Sequence, residues 1–236
     1  MTNPKIELVA ASVEAVDLAA KYKLDRVELC LDLDQGGLTP SCGFVEYSLN
    51  QGVEVHALIR PRAAGFHYSK GEVDVMINDI RFLKKLGVHG VVIGALKDNF
   101  DLDNETLLKL LDAAQGIDVT CHRAFDESYD WQKSMDALIS MGFKRILSSG
   151  LAANVNGGID MLKRMRAYAA DKIEIMPGGG VSSANIQKIL DVVQPTSIHF
   201  SGAVKTLLDE KSAFSETILK IEEKRVQRIV EVVRGL

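Results

Sequence analysis

The chain of 236 residues has few cysteines and no excess of positive charge, and each shortage excludes a class of protein. Its three cysteines, Cys30, Cys42 and Cys121, are an odd number at wide spacings, which indicates reduced thiols in a cytoplasmic protein rather than a disulfide framework. Lys and Arg number 28 and Asp and Glu number 32, so the formal net charge is −4. No overall positive field is present to bind a phosphate backbone, and we expect no nucleic-acid partner.

Long apolar runs and targeting signals are also missing. No apolar stretch approaches the roughly 20 residues that span a bilayer, so we expect no membrane partner. Residues 1–5 lack the basic patch and following apolar run of a signal or transit peptide. Hydrophobic residues make up 47% and charged residues 25% of the chain, which is typical of a globular domain with one sizeable core and excludes intrinsic disorder.

Short β-branched runs alternate with longer segments whose apolar residues recur every three or four positions. The strand-like runs cover residues 6–10, 26–30, 53–59, 90–94, 118–122, 145–148, 173–176 and 197–201. The helix-like segments cover residues 13–21, 44–50, 73–85, 105–114, 131–139, 158–169, 184–191 and 218–233. Eight such units predict an α/β fold, a single-domain TIM (β/α)8 barrel over residues 1–236. The alternative is an open doubly wound sheet, but its usual Gly-x-Gly-x-x-Gly turn does not follow the first run.

Functional residues of a TIM barrel lie at the carboxyl ends of its strands, and the second strand carries polar residues there. Alternation places Arg26, Glu28 and Cys30 on one face of this strand. Either Arg26 and Glu28 form an interior ion pair, or Glu28 and Cys30 present a carboxylate and a soft thiol to the barrel mouth.

The third and fifth strands end in residues that suit anion binding and proton transfer. Arg60 and Arg62 flank a proline, and two guanidinium groups on a stiffened backbone suit a carboxylate or phosphate, although a solvated pair is the alternative. His122 is a candidate general acid/base, with Arg123 beside it and Asp126 or a backbone carbonyl fixing its tautomer. Asp126 could instead cap the next helix.

The last three strands end in small and polar residues. Ser149 follows the sixth strand, Gly178 to Gly180 follow the seventh, and His199 and Ser201 close the eighth. Three glycines leading into a helix expose backbone amides that an anion can approach closely, and TIM barrels commonly bind phosphate after strands seven and eight. The alternative is a turn that needs positive φ angles.

Close pairs of metal ligands are absent, since no Cys-x-x-Cys or His-x-x-x-His is present, and the sequence predicts no zinc motif. A thiolate combined with an imidazole would favour a soft ion such as Cu(I), but the sequence does not show that these groups meet.

Several strand ends together resemble one known family. The matching segments are 25–30 (DRVELC), 36–41 (GGLTPS), 59–62 (IRPR), 66–69 (FHYS), 122–126 (HRAFD), 145–150 (RILSSG) and 176–181 (MPGGGV). In this order along nearly the whole chain they resemble the CutC family of copper homeostasis proteins. The resemblance implies a TIM barrel, a cytoplasmic location, a role in copper handling and assembly into homo-oligomers.

The resemblance also implies site residues. Cys30 matches the family's strand-two cysteine, a candidate Cu(I) ligand, and Glu28 and His122 match a polar pocket at the barrel mouth. Family members often carry a cysteine at the end of strand one, where this chain has Val9. Cys30 therefore lacks the second thiolate that such a copper site would use.

Two functions follow from these observations, and no cofactor other than Cu(I) is expected. The first is copper homeostasis with Cu(I) bound at Cys30, and the second is an enzyme that transfers protons on a small phosphorylated or carboxylated substrate. The enzyme would use His122 as acid/base with Glu28 as its carboxylate partner and Asp126 nearby. Its candidate binding residues are Arg60, Arg62, Arg123, Ser149, Gly178, Gly179, Gly180, His199 and Ser201. A purely structural or interaction protein would leave these polar strand ends without a purpose.

Overall fold

A computed structural model describes residues 3–207 and 217–235, in which eight parallel strands form a nearly closed barrel. The strands are β1 (Lys5–Ala10), β2 (Arg26–Leu29), β3 (Glu54–Leu58), β4 (Gly90–Ile93), β5 (Asp118–Cys121), β6 (Arg145–Ser148), β7 (Glu174–Pro177) and β8 (Ser197–Phe200). Their order is β7-β6-β5-β4-β3-β2-β1-β8. Side chains join the two edges, since Ser197 Oγ of β8 donates to Glu174 Oε1 of β7 at 2.5 Å. The predicted TIM barrel is confirmed.

Helices cover the outside of the barrel, and a side chain accepts a backbone hydrogen bond at the start of each of the first six. They are α1 (Val13–Lys21), α2 (Cys42–Leu49), α3 (Lys70–Leu86), α4 (Asn104–Ala113), α5 (Trp131–Met141), α6 (Val155–Ala169), α7 (Ile186–Val193) and α8 (Glu223–Arg234). Ser69 and Glu72 form a reciprocal capping box at the start of α3, which ends at Gly87 in the left-handed conformation. Among the described residues, no helix combines the length and the apolar character needed to cross a bilayer.

The end of the chain differs from the sequence prediction. Residues 218–233 were expected to form one helix, but β10 (Thr217–Ile221) pairs antiparallel with β9 (Ala203–Leu207), and α8 begins only at Glu223. Ile218 lies opposite Thr206, and Lys220 lies opposite Val204. Pairing with a β-branched partner strand therefore outweighs the helical spacing of the apolar residues in this segment.

The barrel interior contains charged residues where TIM barrels usually have apolar layers. Near the amino ends of the strands, Arg26 binds Glu7 and lies 3.6 Å from Glu54. On the opposite side, Arg145 donates to Asp118 at 3.0 Å and to Glu174 at 3.2 Å. The apolar core lies instead between the strands and the helices. We call this charged group, Glu7, Arg26, Glu54, His56, Asp118, Arg145 and Glu174, the ionic floor.

Strand β4 makes room for two histidine rings of its neighbours. A Cβ atom at Gly90 would lie 2.5 Å from the ring of His56, and one at Gly94 would overlap the ring of His122. His56 is fully buried, bonds to Glu54 at 3.0 Å and belongs to the ionic floor, whereas His122 lies at the barrel mouth. Two glycines four residues apart thus determine the inward positions of both rings.

We expect Gly90→Ala to lower the free energy of unfolding by about 1–3 kcal/mol, because the new methyl group displaces a buried ring whose hydrogen bonds cannot follow. Urea denaturation measures the change. Gly71→Ala in the first turn of α3 is the matched control, since nothing lies within 4 Å of the added Cβ atom. Equal stability of the two variants would contradict this packing.

Candidate functional site

A cavity of about 270 Å³ opens at the carboxyl ends of the strands, above the ionic floor. Residues from many strand ends reach it, as expected for the functional end of a TIM barrel. Its polar and glycine lining consists of Glu28, Cys30, Gly36, Arg60, His122, Arg123, Gly179, Gly180, His199 and Ser201. Its apolar lining consists of Val9, Leu33, Leu58, Phe66, Leu147, Val181 and Phe200.

Arg60 is buried in the cavity wall and held there by backbone carbonyls. Its Nη1 donates to the carbonyls of Gln35 at 2.7 Å and Gly37 at 2.9 Å, and its Nη2 donates to Ala64 at 2.8 Å. No carboxylate pairs with it among the described residues, and its Nε lacks a hydrogen-bond partner there. Arg60 therefore adds a fixed positive charge with an unused donor to the cavity.

His122 presents a neutral imidazole to the same cavity. Its Nδ1 accepts a hydrogen bond from the amide of Ala124 at 3.1 Å, so the ring proton is on Nε2. That Nε2 is buried without a partner among the described residues. Burial and the nearby Arg60 lower the pKa of His122 to about 3. His122 is therefore a hydrogen-bond donor at neutral pH and carries no charge.

Glu28 and His199 face the cavity from neighbouring parts of the barrel wall. The Oε2 atom of Glu28 is buried without a hydrogen-bond partner in the described part of the chain. Burial raises the pKa of Glu28 to about 7, although the charge of His199 opposes the shift. His199 Nδ1 lies 2.6 Å from Oε1 of Glu7, whose other oxygen accepts from Arg26. One side of the cavity therefore combines a carboxyl group that titrates near neutrality with an imidazole bonded to a carboxylate.

The loop after β7 adds backbone donors to the cavity. Gly179 and Gly180 have φ angles of 89° and 85°, and a Cβ atom at Gly179 would lie 3.1 Å from Nη1 of Arg123. The amides of Gly179, Gly180 and Val181 donate no hydrogen bond within residues 3–207 and 217–235. The glycines do not lead directly into a helix as expected, because α7 begins at Ile186 and the Asn185 side chain bonds the carbonyl of Gly180.

Cys30 lines the cavity but lies in apolar surroundings. It packs with Val9, Leu58 and Val92, and burial raises the pKa of its thiol, which disfavours the thiolate that binds metal. Cys121 belongs to the core between strands and helices, and Cys42 is exposed on α2. Cys30 is therefore the one thiol among the described cavity residues, in agreement with the missing strand-one cysteine.

Several predicted site residues lie outside the cavity lining. Both oxygens of Asp126 accept hydrogen bonds, from Ser148, Ser149, Leu151 and Arg123, so this carboxylate braces the loop after β6. Ser149 belongs to the same network. Arg62 pairs with Glu72 on α3. Gly178 lies next to His199: a Cβ atom added to Gly178 would lie 3.0 Å from Cδ2 of His199.

One expected pairing and one of two alternative pairings do not form, and Glu7 was missed. Arg26 pairs with Glu7 and Glu54 instead of Glu28, and no hydrogen bond joins Glu28 to His122 in the described residues. Glu7 was not among the predicted site residues. Alternation along β1 places Glu7 and Val9 on the same inward face, so a glutamate between apolar neighbours was an available signal.

Two groups of side chains approach closely enough to hold a metal ion. Donor atoms of Glu7, Glu28 and His199 lie within 4.8 Å of one another, as do those of Glu54, His56 and Asp118. In the first group both oxygens of Glu7 are already bonded, and in the second Arg145 binds Asp118 while His56 binds Glu54. Neither group offers three free donor atoms.

The comparison with known proteins agrees with this architecture. The sequence model of the CutC family matches residues 4–204. The family protein CutC of Agrobacterium fabrum is 40% identical over 207 residues, covering 88% of this chain and 82% of the relative. A human protein named copper homeostasis protein cutC homolog is 38% identical, covering 83% of this chain and 72% of the relative.

Solved structures show the same relationship. The crystal structure of the CutC protein of Streptococcus agalactiae is 34% identical with a TM-score of 0.80, covering 84% of this chain and 98% of that chain. Phosphoribosyl anthranilate isomerase from Thermotoga maritima has a TM-score of 0.60 at 11% identity over 99% of this chain and 100% of that chain, which shows a shared barrel fold alone. With the family model covering most of its length, the chain belongs to the CutC family.

Proposed function

We propose that the mouth cavity binds a small organic anion and transfers a proton on it, with Glu28 as acid/base. The observation that carries this proposal is Oε2 of Glu28, which is buried without a partner in the described part of the chain, in a cavity whose other charged lining residues are cationic. A buried polar atom without a partner is costly, and it is found where a ligand or reacting group completes the hydrogen bond.

The charge of the lining favours an anion. Arg60 and Arg123 contribute two guanidinium groups, and the carboxylates that bind Arg123 and His199 lie outside the lining. Residues with unused donors line the same space, namely His122, whose Nε2 has no partner among the described residues, and the loop after β7, whose amides at residues 179–181 donate no hydrogen bond there. Donors fixed in a buried site do not need to reorganise when negative charge arrives, so the lining suits a carboxylate or phosphate group.

Glu28 suits proton transfer better than His122. A carboxyl group with a pKa of about 7 is present in both protonation states near neutral pH, which is the condition for efficient acid/base work. His122, with a pKa of about 3, remains neutral and serves as a hydrogen-bond donor to a ligand oxygen. The acid/base role expected for His122 therefore passes to Glu28.

Two arginines on either side of Pro61 give a matched test of anion binding. Inorganic phosphate and malonate are titrated into the protein by calorimetry. We expect Arg60→Gln to weaken binding about tenfold or more, because a charge-assisted hydrogen bond in a buried site contributes roughly 1.5–3 kcal/mol. Arg62→Gln should change the affinity less than about twofold, since Arg62 pairs with Glu72 away from the cavity.

Melting curves of both arginine variants establish that each is folded. The proposed anion site would be contradicted if the wild-type protein bound neither phosphate nor malonate saturably. It would also be contradicted if both variants lost the same amount of affinity.

Copper handling is the second candidate, and one observation favours it. Cys30 Sγ lies in the cavity lining together with two histidines, and the human relative is named a copper homeostasis protein. A thiolate and imidazole nitrogens are ligands that Cu(I) accepts. The single thiol, enclosed by apolar side chains, nevertheless supports a weak site rather than a tight one.

Competition with a Cu(I) chelator tests this candidate. If the cavity binds copper, Cys30→Ser should abolish the competition while Cys42→Ser leaves it unchanged, because Cys42 is exposed on α2 far from the cavity lining. From the raised pKa of the Cys30 thiol we expect little competition by the wild-type protein and no difference between the two variants. Tight wild-type binding lost only in Cys30→Ser would favour copper handling over the anion site.

A further inference from the structure

Three adjacent strands bring a histidine and two glutamates together at the base of the cavity, with Glu7 on the middle strand. In the strand register, Glu7 of β1 lies opposite His199 of β8, and Glu28 of β2 lies opposite Val9, two residues further along β1. All three side chains are less than one tenth exposed. Donor atoms of the three lie within 4.8 Å of one another, so protonation of one residue changes the pKa of the other two.

Glu7, Glu28 and His199 differ in their hydrogen-bond partners. Glu7 accepts from Arg26 with one oxygen and from His199 Nδ1, at 2.6 Å, with the other. Within residues 3–207 and 217–235 the contact of Nδ1 with Glu7 is the one hydrogen bond of the His199 ring, and His199 lines the cavity. Glu28 also lines the cavity and leaves Oε2 free. Glu7 therefore faces the ionic floor, whereas Glu28 and His199 face the ligand space.

The two histidines of the cavity differ in their carboxylate contacts. His122 has Arg60 as its charged neighbour and, within residues 3–207 and 217–235, no carboxylate partner, so burial and Arg60 keep it neutral. Burial also disfavours a charge on His199, and so does Arg26, but the hydrogen bond to Glu7 and the charges of Glu28 and Glu7 outweigh them and raise its pKa. The charged groups that face His199 are thus Glu7 from β1 and Arg26 and Glu28 from β2.

We propose that His199 is the proton donor of the cavity, that Glu7 is the positioning residue that holds its imidazolium, and that Glu28 is the matching proton acceptor. This inference rests on the proposed anion site and adds a reaction class to it. A carboxylate oxygen of Glu28 and a ring nitrogen of His199 lie within 4.8 Å of each other, and one carbonyl group with its neighbouring carbon fits between two catalytic groups that each act over about 3 Å.

The step that this pair supports needs no co-reactant. The Glu28 carboxylate removes a proton from the carbon next to a carbonyl group, and the electron pair of the broken C–H bond forms a C=C bond. The electron pair of the C=O double bond moves to oxygen, which takes the proton from His199 Nε2, and an enol results. When the carbon that lost the proton also carries a hydroxyl group, the enol is an enediol. Glu28 then gives its proton to the former carbonyl carbon, the hydroxyl group on the neighbouring carbon gives its proton to His199 Nε2 and becomes the new C=O, and both residues are reset. The substrate class is a small anion that carries a carbonyl group next to a carbon with one hydroxyl group and one C–H bond.

Proton positions in the full chain test the inference without a known substrate. The five histidines are labelled with 13C at Cε1, and His199→Gln assigns the resonance of His199. We expect His199 to titrate above the usual value of about 6.5 in the wild-type protein, and its midpoint to fall by about one pH unit or more in Glu7→Gln.

Glu54→Gln is the matched control, because Glu54 lies 3.6 Å from Arg26 and bonds His56 but has no hydrogen bond to His199. It should shift the titration of His56 and leave that of His199 in place. A wild-type midpoint at or below 6.5, or equal shifts of His199 in both variants, would overturn the inference. The wild-type titration decides even when a variant does not fold.

Phosphate binding separates this inference from the anion site on which it rests. If the protein binds phosphate but its His199 is uncharged at neutral pH, the role of His199 as proton donor is wrong and the anion site stands. A charged His199 in a protein that binds neither phosphate nor malonate overturns the anion site.

Discussion

The carboxylate of Glu7 connects the two halves of the barrel interior. One oxygen accepts from Arg26 in the ionic floor, and the other is bonded to His199 beneath the cavity. Burial alone would favour a protonated Glu7, but its bonds to His199 and Arg26 lower its pKa far below the usual range. A buried charge of this kind is stable only while both partners remain, and removal of one partner typically costs about 3–5 kcal/mol. The charge state of the cavity therefore depends on a residue that lies outside its lining.

The cavity obtains different chemistry from similar side chains by changing their neighbours. His122 and His199 are both buried, yet burial and Arg60 lower the pKa of the first, while the hydrogen bond to the Glu7 carboxylate raises the pKa of the second against its burial. Glu7 and Glu28 are both buried glutamates in adjacent strands, but only Glu7 has fixed cationic partners. Pairs of like groups whose pKa values are moved apart are typical of acid/base sites. This contrast supports an enzyme more strongly than a soft-metal site with a single buried thiol.

The sequence predicted the barrel and the gathering of several polar strand ends around one cavity because both depend on local patterns. Alternation, glycine positions and helix caps are readable in the chain, and the general rule for TIM barrels placed the polar strand ends at one mouth. Side-chain partners were harder to predict, because Arg60 and Arg62 have the same chemistry and only the fold turns one inward and pairs the other with Glu72. Asp126 likewise became a loop brace through contacts with residues more than twenty positions away. Strand β10 was missed because most of its residues belong to the predicted helical segment 218–233, and its pairing with β9 is not visible in the local pattern.

Neutron diffraction from a crystal at pH 7, exchanged into heavy water, tests the central claim most directly, because it locates the protons on the buried groups. The account predicts an unprotonated Glu7, a doubly protonated His199 and a His122 with deuterium on Nε2 alone. A protonated Glu7 beside a singly protonated His199 would contradict it, because His199 would then lack the proton that it donates in the proposed step.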